Sequence, residues 1–233
     1  MKRNNKATPR IGSTVVGILL LLIVLFLINE VDLSGLTDSS IPPELEKLTE
    51  PQFGERPPPS KSKQGEFTRL DGCTLAGDAR SNDGDSFLLA HGPDTFHFRL
   101  YFVDCPEKYR HQYNGERIAE QGDYFGGLSE SQTISVGISA QKLTRQILEN
   151  ARFSVWTRWE RVYRSDRFYG LVEIQHPDQS PVFLHEILVR QGLGRIHTKG
   201  IDLPDGRTWR SQKQRLSKFE TEAKTQALGG WKL

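Results

Sequence analysis

Phe98-Arg99-Leu100-Tyr101-Phe102-Val103-Asp104-Cys105-Pro106-Glu107 is the stretch on which the fold reading turns. Phe96, Phe98, Leu100 and Phe102 alternate with Thr95, His97, Arg99 and Tyr101. Period two is the mark of a strand with one apolar face. Arg99 falls on the opposite face, and Asp104 and Glu107 follow at the strand's end. Just upstream stands Asn82-Asp83-Gly84-Asp85-Ser86. The pattern predicts strands over 85–90 and 95–103 around a turn at His91-Gly92-Pro93-Asp94. One arginine and several carboxylates therefore share short β segments. Carboxylate oxygens suit a hard divalent cation, and a guanidinium fork suits a pair of phosphate oxygens. A spare carboxylate can take a proton from water. The mixture points to metal-dependent phosphodiester chemistry.

Downstream, residues 109–137 read as a long polar connection with many glycines. Helical spacing begins at 138–151, through Leu143, Ile147 and Leu148. A second strand pair is expected at 153–159 and 168–174, around 161–167. A helix over 182–192 places Phe183, Ile187 and Leu188 on one face, and Gly192 stops it. A last helix runs from about 208 to 227, ahead of Gly229-Gly230-Trp231. No internal repeat is present. Short strands followed by mixed strand and helix predict an α+β fold, a small β-barrel with helices packed on it.

The N-terminal part is different in kind. Residues 11–28 form an apolar run broken only by Gly12, Ser13, Thr14 and Gly17, long enough at a helical rise nearly to cross a hydrocarbon core. Lys2, Arg3, Lys6 and Arg10 precede it, and Glu30 and Asp32 follow. Positive charge is retained in the cytoplasm, so the expected topology has the N-terminus inside and the rest exported. The run is longer than a usual signal core and no clear Ala-x-Ala site follows, which favours an uncleaved anchor over a secreted form. Residues 31–65 carry Pro42, Pro43, Pro51, Pro57, Pro58 and Pro59 among Ser, Glu and Lys, the composition of a semi-rigid spacer. The expected organisation is a cytoplasmic stub and transmembrane helix over 1–30, a Pro-rich linker over 31–65 and a folded domain over 66–233. A net charge of +2 does not by itself demand a nucleic-acid partner, so any such role needs a local patch. Two cysteines, Cys73 and Cys105, make no disulfide scaffold and match no common zinc spacing, although one bridge is open to them in an oxidising compartment.

Asp83-Gly84-Asp85-Ser86, the 98–107 stretch, Leu188-Val189-Arg190-Gln191-Gly192-Leu193 and a terminal Gly-Gly-Trp occur in that order. Together they resemble the staphylococcal nuclease (thermonuclease) family over roughly 68–231. The resemblance implies a five-stranded OB-fold barrel with about three helices, and a calcium-dependent endonuclease acting on DNA and RNA. It implies Asp85, Asp104 and the backbone carbonyl of Cys105 as metal ligands, with Cys where Thr is commoner. It implies Glu107 as the catalytic carboxylate and Arg99 as the first active-site arginine. Each residue has a plainer reading. Asp83-Gly84-Asp85 suits a turn, Glu107 a surface position after Pro, and Arg99 an ion pair at the barrel mouth.

Two features depart from the family pattern. The family's hairpin ends Tyr-Gly-Arg, whereas this chain reads Ser165-Asp166-Arg167-Phe168-Tyr169-Gly170-Leu171, which puts Tyr169 at the arginine position. Arg167 lies two residues earlier and would share a face in extended chain, making it the expected second arginine, with Arg164 further back. The tyrosines that contact nucleotide in relatives are missing from Arg195-Ile196-His197-Thr198-Lys199. His197 and Lys199 are the expected substitutes, and Phe168 and Tyr169 offer stacking surface, with packing in the core the equal alternative for one of them. The competing expectation is a non-catalytic OB-fold module that binds nucleic acid or protein. The four retained residues Asp85, Arg99, Asp104 and Glu107 oppose it, and the displaced arginine favours it. A purely structural anchor would leave the acidic cluster unexplained.

Overall fold

The computed structural model describes residues 66–176 and 179–233. The apolar run at 11–28 and the spacer at 31–65 lie outside the described residues. No helix among the described residues is long and apolar enough to cross a membrane.

The domain is α+β, as the strand and helix patterns predict. Its strands are β1 (Thr68–Asp71), β2 (Thr74–Ala76), β3 (Ser86–His91), β4 (Asp94–Leu100), β5 (Val103–Asp104), β6 (Phe153–Thr157), β7 (Phe168–His176), β8 (Gln179–Phe183) and β9 (Arg195–Ile196). Its helices are α1 (Gly115–Tyr124), α2 (Glu130–Asn150), α3 (Leu184–Arg190) and α4 (Trp209–Thr225), with a 3-10 turn at Gly229–Lys232. The main sheet runs β1-β6-β7-β4-β3-β2, β8 pairs with β7, and β5 pairs with β9. β4 and β7 are parallel, with Arg99 opposite Tyr169, and the other ladders are antiparallel.

Among the described residues a closed barrel ladder is not found. The end strands β1 and β2 do not pair with each other; they are consecutive pieces of chain parted by Gly72 and Cys73. Gly72 has φ +68°, the left-handed region where glycine carries no Cβ penalty, and the strand turns there. One side of the bend pairs with β6 and the other with β3.

The predicted apolar faces fill the core. Phe87, Leu89, Phe98, Leu100, Val155, Leu171 and Val172 are fully buried across β3, β4, β6 and β7. Each such side chain contributes roughly 1.5–3 kcal/mol by leaving water. The alternation in β4 ends at Leu100. Phe102 takes φ 71°, and both Tyr101 and Phe102 turn into the core. That turn sends Val103–Asp104 to a new partner, β9.

The 109–137 stretch is a correction: it contains α1 and the first turns of α2. Ser129 and Gln132 form a reciprocal capping box at the start of α2, with the Gln132 amide oxygen 2.9 Å from the Ser129 N–H. The buried face of α2 is Thr133, Val136, Gly137, Ala140, Thr144 and Leu148. Those small residues let the helix lie close to the 104–107 segment. A Cβ on Gly137 would stand 2.5 Å from the carbonyl oxygens of Pro106 and Glu107. Val182 and Phe183, expected in a helix, end β8, and α3 begins at Leu184. No disulfide joins Cys73 and Cys105.

A candidate functional cleft built on arginine and aspartate

Asp85 opens the chain's approach to β3, and its backbone carbonyl accepts from Leu100 N–H at 2.8 Å. The loop before it is pinned from behind. Lys108 Nζ donates to the carbonyl of Asn82 at 2.6 Å and pairs with Asp83 at 2.9 Å. Thr144 of α2 donates to the Gly84 carbonyl at 2.7 Å. Asp104 sits on β5 beside Arg195 of β9, in register. Both aspartates are buried.

Arg99 ties them together. Its Nη1 lies 3.2 Å from Asp85 Oδ1, and its Nη2 lies 2.5 Å from Asp104 Oδ1. Asp85 Oδ2 accepts from the Cys105 N–H at 2.6 Å. Asp104 takes three further donors: Arg117 Nη2 at 2.7 Å on Oδ1, and Arg195 Nε at 2.7 Å and Gln121 Nε2 at 3.0 Å on Oδ2. Gln121 also reaches the Cys105 carbonyl at 3.1 Å, and its Oε1 accepts from the Glu107 N–H at 3.0 Å. The Glu107 carboxylate is held by Arg117 Nε at 3.0 Å, with Asn114 Nδ2 at 3.5 Å.

The two aspartates titrate differently because their donors differ. Burial raises the Asp85 carboxyl to about 6, with Asp104 adding to the rise and Arg99 opposing it. Burial also pushes Asp104 upward. Arg117, Arg99, Gln121 and Arg195 outweigh that push, and hold its carboxyl below the usual range.

An open cleft of about 710 Å³ lies over this cluster. Arg99, Arg117, Arg167 and Arg195 line it with Asp104, Glu116, Glu120, His197, Val162 and Tyr113. Arg195 also pairs with Glu120 at 3.1 Å. Arg167 is the exception among the four. No carboxylate among the described residues pairs with it, and its Nη1 lies 3.5 Å from Ser86 Oγ. Burial, with Arg99 next, lowers its affinity for its proton, and the more distant Asp85 only partly opposes them. It is the cleft arginine most in want of an anion.

The structure thus brings Asp85, Arg99, Asp104, Cys105, Glu107 and Arg167 to one place, with His197 on the cleft wall. Phe168, Tyr169 and Lys199 are not among the residues that line the cleft. Phe168 packs edge-on against Trp159 at 5.3 Å, and Tyr169 stacks on Tyr101 at 4.8 Å. Lys199 pairs with Glu160. Arg164 lies over the Tyr163 ring. The sequence reading missed Arg117, Gln121 and Glu120, all on the unrecognised helix α1, and missed the ion pair of Arg195. It also missed Tyr113 and Tyr163, which are 84% and 85% exposed. Tyr113 belongs to the cleft wall, and Tyr163 follows Val162 of that wall. The signal for α1 was Glu116, Arg117, Glu120 and Gln121 at helical spacing.

The calcium that the nuclease resemblance implies needs hard oxygen ligands. Two carboxylates and one carbonyl meet here, bridged by Arg99 and by Gln121, so the donor chemistry suits such an ion. The oxygens of Asp104 already hold four N–H donors. Set against known proteins, the chain matches no family model and no curated protein.

Proposed function

We propose that this chain is a membrane-anchored, calcium-dependent endonuclease of the staphylococcal nuclease kind, hydrolysing phosphodiester bonds of DNA or RNA. The observation that carries the reading is Arg167. It is a half-buried guanidinium without a carboxylate partner among the described residues, in a cleft shared with Arg99, and 3.5 Å from a strand hydroxyl beside Asp85. A phosphate group is the ligand that such a cation calls for.

Asp85, Asp104 and the Cys105 carbonyl would hold calcium, which when bound supplies positive charge beside the phosphate and acidifies water. Arg99 and Arg167 bind non-bridging phosphate oxygens and offset the negative charge that grows as water attacks phosphorus. Glu107 takes the proton from that water, and the bond from phosphorus to the leaving oxygen breaks as that oxygen takes up a proton from solvent water. Tyr113 and Tyr163, exposed at the cleft and beside it, offer faces on which bases stack. The sheet supports an OB-type barrel in which β1 and β2 are two halves of one bent strand. One half pairs with β6 and the other with β3, and β4 with β7 supplies a parallel pair. The basic flank and the apolar run at 11–28 support a membrane anchor with the domain on the extracytoplasmic side.

A second reading has one observation in its favour. Four N–H donors, three of them from arginines, fill Asp104, an arrangement that a nucleic-acid-binding module without catalysis would also tolerate. Incubation of the purified full-length chain with DNA and RNA, in calcium and then in chelator, separates the two. Cleavage abolished by chelation supports the endonuclease, and tight binding with intact substrate supports the module.

A further inference from the structure

Asp104 is the most heavily engaged carboxylate in the domain's cleft. Oδ1 accepts from Arg99 at 2.5 Å and Arg117 at 2.7 Å, and Oδ2 accepts from Arg195 at 2.7 Å and Gln121 at 3.0 Å. Two oxygens offer about four lone pairs, so its capacity is filled from within the chain. Asp85 is less engaged, with one donor on each oxygen. Any ion that takes Asp104 as a ligand must evict a donor first.

The donors are not equally held. The Arg195 side chain is 4% exposed and the Arg99 side chain 10%, and Gln121 is wholly buried. The Arg117 side chain is 43% exposed and stands on the solvent side of the cluster, on α1. Exposed ion pairs are weak and buried ones are costly to break, so Arg117 is the donor that leaves most easily. Its guanidinium spans two groups with different expected roles. Nη2 is on Asp104, a ligand, and Nε is on Glu107, the proton acceptor, at 3.0 Å. One side-chain rotation therefore frees both at once and leaves the guanidinium in the arginine-lined cleft.

We infer that Arg117 is a displaceable counter-ion of the Asp85–Asp104 cation site: it occupies Asp104 and Glu107 in the resting protein and yields its place to a divalent cation. The inference rests on the proposed calcium site. It adds a competition between a fixed cation of the chain and a mobile one, and a coupling between cation entry and release of Glu107. A long-range charge effect alone would also make the site more attractive when any cleft arginine is neutralised. Arg167 controls for that, since it shares the cleft but does not touch Asp104.

The test is calcium titration of the full-length chain in detergent by calorimetry, without substrate. Arg117→Gln is expected to tighten calcium at least about tenfold, because the competitor is gone. Arg167→Gln removes the same charge and is expected to tighten it by about threefold or less. Arg117→Lys, which keeps the charge but not the fork that spans Asp104 and Glu107, falls between. Thermal unfolding gives a second readout. Arg117→Gln should melt below the parent in chelator and recover most of the loss in calcium. Equal tightening by Arg117→Gln and Arg167→Gln, or calcium affinity unchanged in Arg117→Gln, overturns the inference and leaves the calcium site standing. Absence of calcium binding in parent and in Arg117→Gln alike overturns both the inference and the calcium part of the proposed function.

Discussion

Gly137→Ala tests how the fold positions Glu107. Gly137 lies in mid-helix, where alanine is favoured by up to about 1 kcal/mol. The structure predicts the opposite sign. A Cβ there would stand 2.5 Å from the Pro106 and Glu107 carbonyl oxygens and 2.7 Å from the Glu107 carbonyl carbon. Carbon and oxygen rest at about 3.3 Å or more, so helix α2 and the 104–107 segment must part by roughly 0.8 Å. Both sides are backbone, so no side chain can swing away to relieve the contact. Overpacking of this kind costs about 1–3 kcal/mol. Set against the helix gain, the net loss is about 0–2 kcal/mol. The functional loss should be larger than the stability loss, since a misplacement of about 1 Å at a reacting group can cost about a hundredfold in rate. Urea unfolding followed by tryptophan fluorescence, paired with single-turnover cleavage, reads both. A variant that gains the full helix preference and keeps the parent's rate would refute the close approach and the positioning role of α2.

Acid should weaken the fold through His185 first. Burial lowers its ring to about 4 from an ordinary 6.5, and the unfolded chain takes up a proton that the fold refuses. Its contribution is then full above pH 6.5 and falls by about 3 kcal/mol as the pH drops to 4, opposed between about pH 6 and 4 by Asp85, whose raised carboxyl takes up its proton first in the folded chain. His185→Gln should flatten that segment of a stability–pH curve, and an unchanged slope would contradict it. Glu186 acts lower. Burial raises its carboxyl, but His185, Gln212, Arg207 and Arg215 bring it down to about 2 from an ordinary 4.5, so its contribution is lost between those values. Arg167→Ala should slow cleavage about a hundredfold, the usual cost of one preorganised donor. Arg164→Ala, whose guanidinium lies over Tyr163, should change little, and single-turnover rates distinguish the two. Asp85→Ala and Asp104→Ala should each abolish calcium binding in calorimetry while the circular dichroism of the fold persists.

The strands that carry Arg99 and the core phenylalanines were legible because alternation over 95–102 is long and strongly contrasted. What escaped had weak contrast. β1 and β2 hold four and three residues and are split by Gly72, too short for a period to register. The beginning of α2, Ser131 to Ala140, interleaves Ser with Ile and Val, and its buried face is made of Thr, Val, Gly and Ala, so it mimics a polar linker. The site divides the same way. Asp85, Arg99, Asp104 and Glu107 sit on the legible strands and their ends. Arg117, Gln121 and Glu120 come from a helix hidden in a glycine-rich stretch, and Arg195 meets Asp104 only through the β5–β9 pairing, 91 residues away in sequence. Residue type left Tyr169 and Phe168 open between stacking on bases and packing inward, and their rings lie against Tyr101 and Trp159.

Cleavage of an end-labelled single-stranded oligonucleotide by the full-length chain in calcium, run beside Glu107→Gln, tests the central claim most directly. The account predicts that the parent cuts internal phosphodiester bonds, that chelator stops it, and that Glu107→Gln slows it by about a hundredfold to ten-thousandfold. A parent chain that binds the oligonucleotide and leaves it intact in calcium, or a Glu107→Gln variant that cuts at the parent's rate, would contradict it.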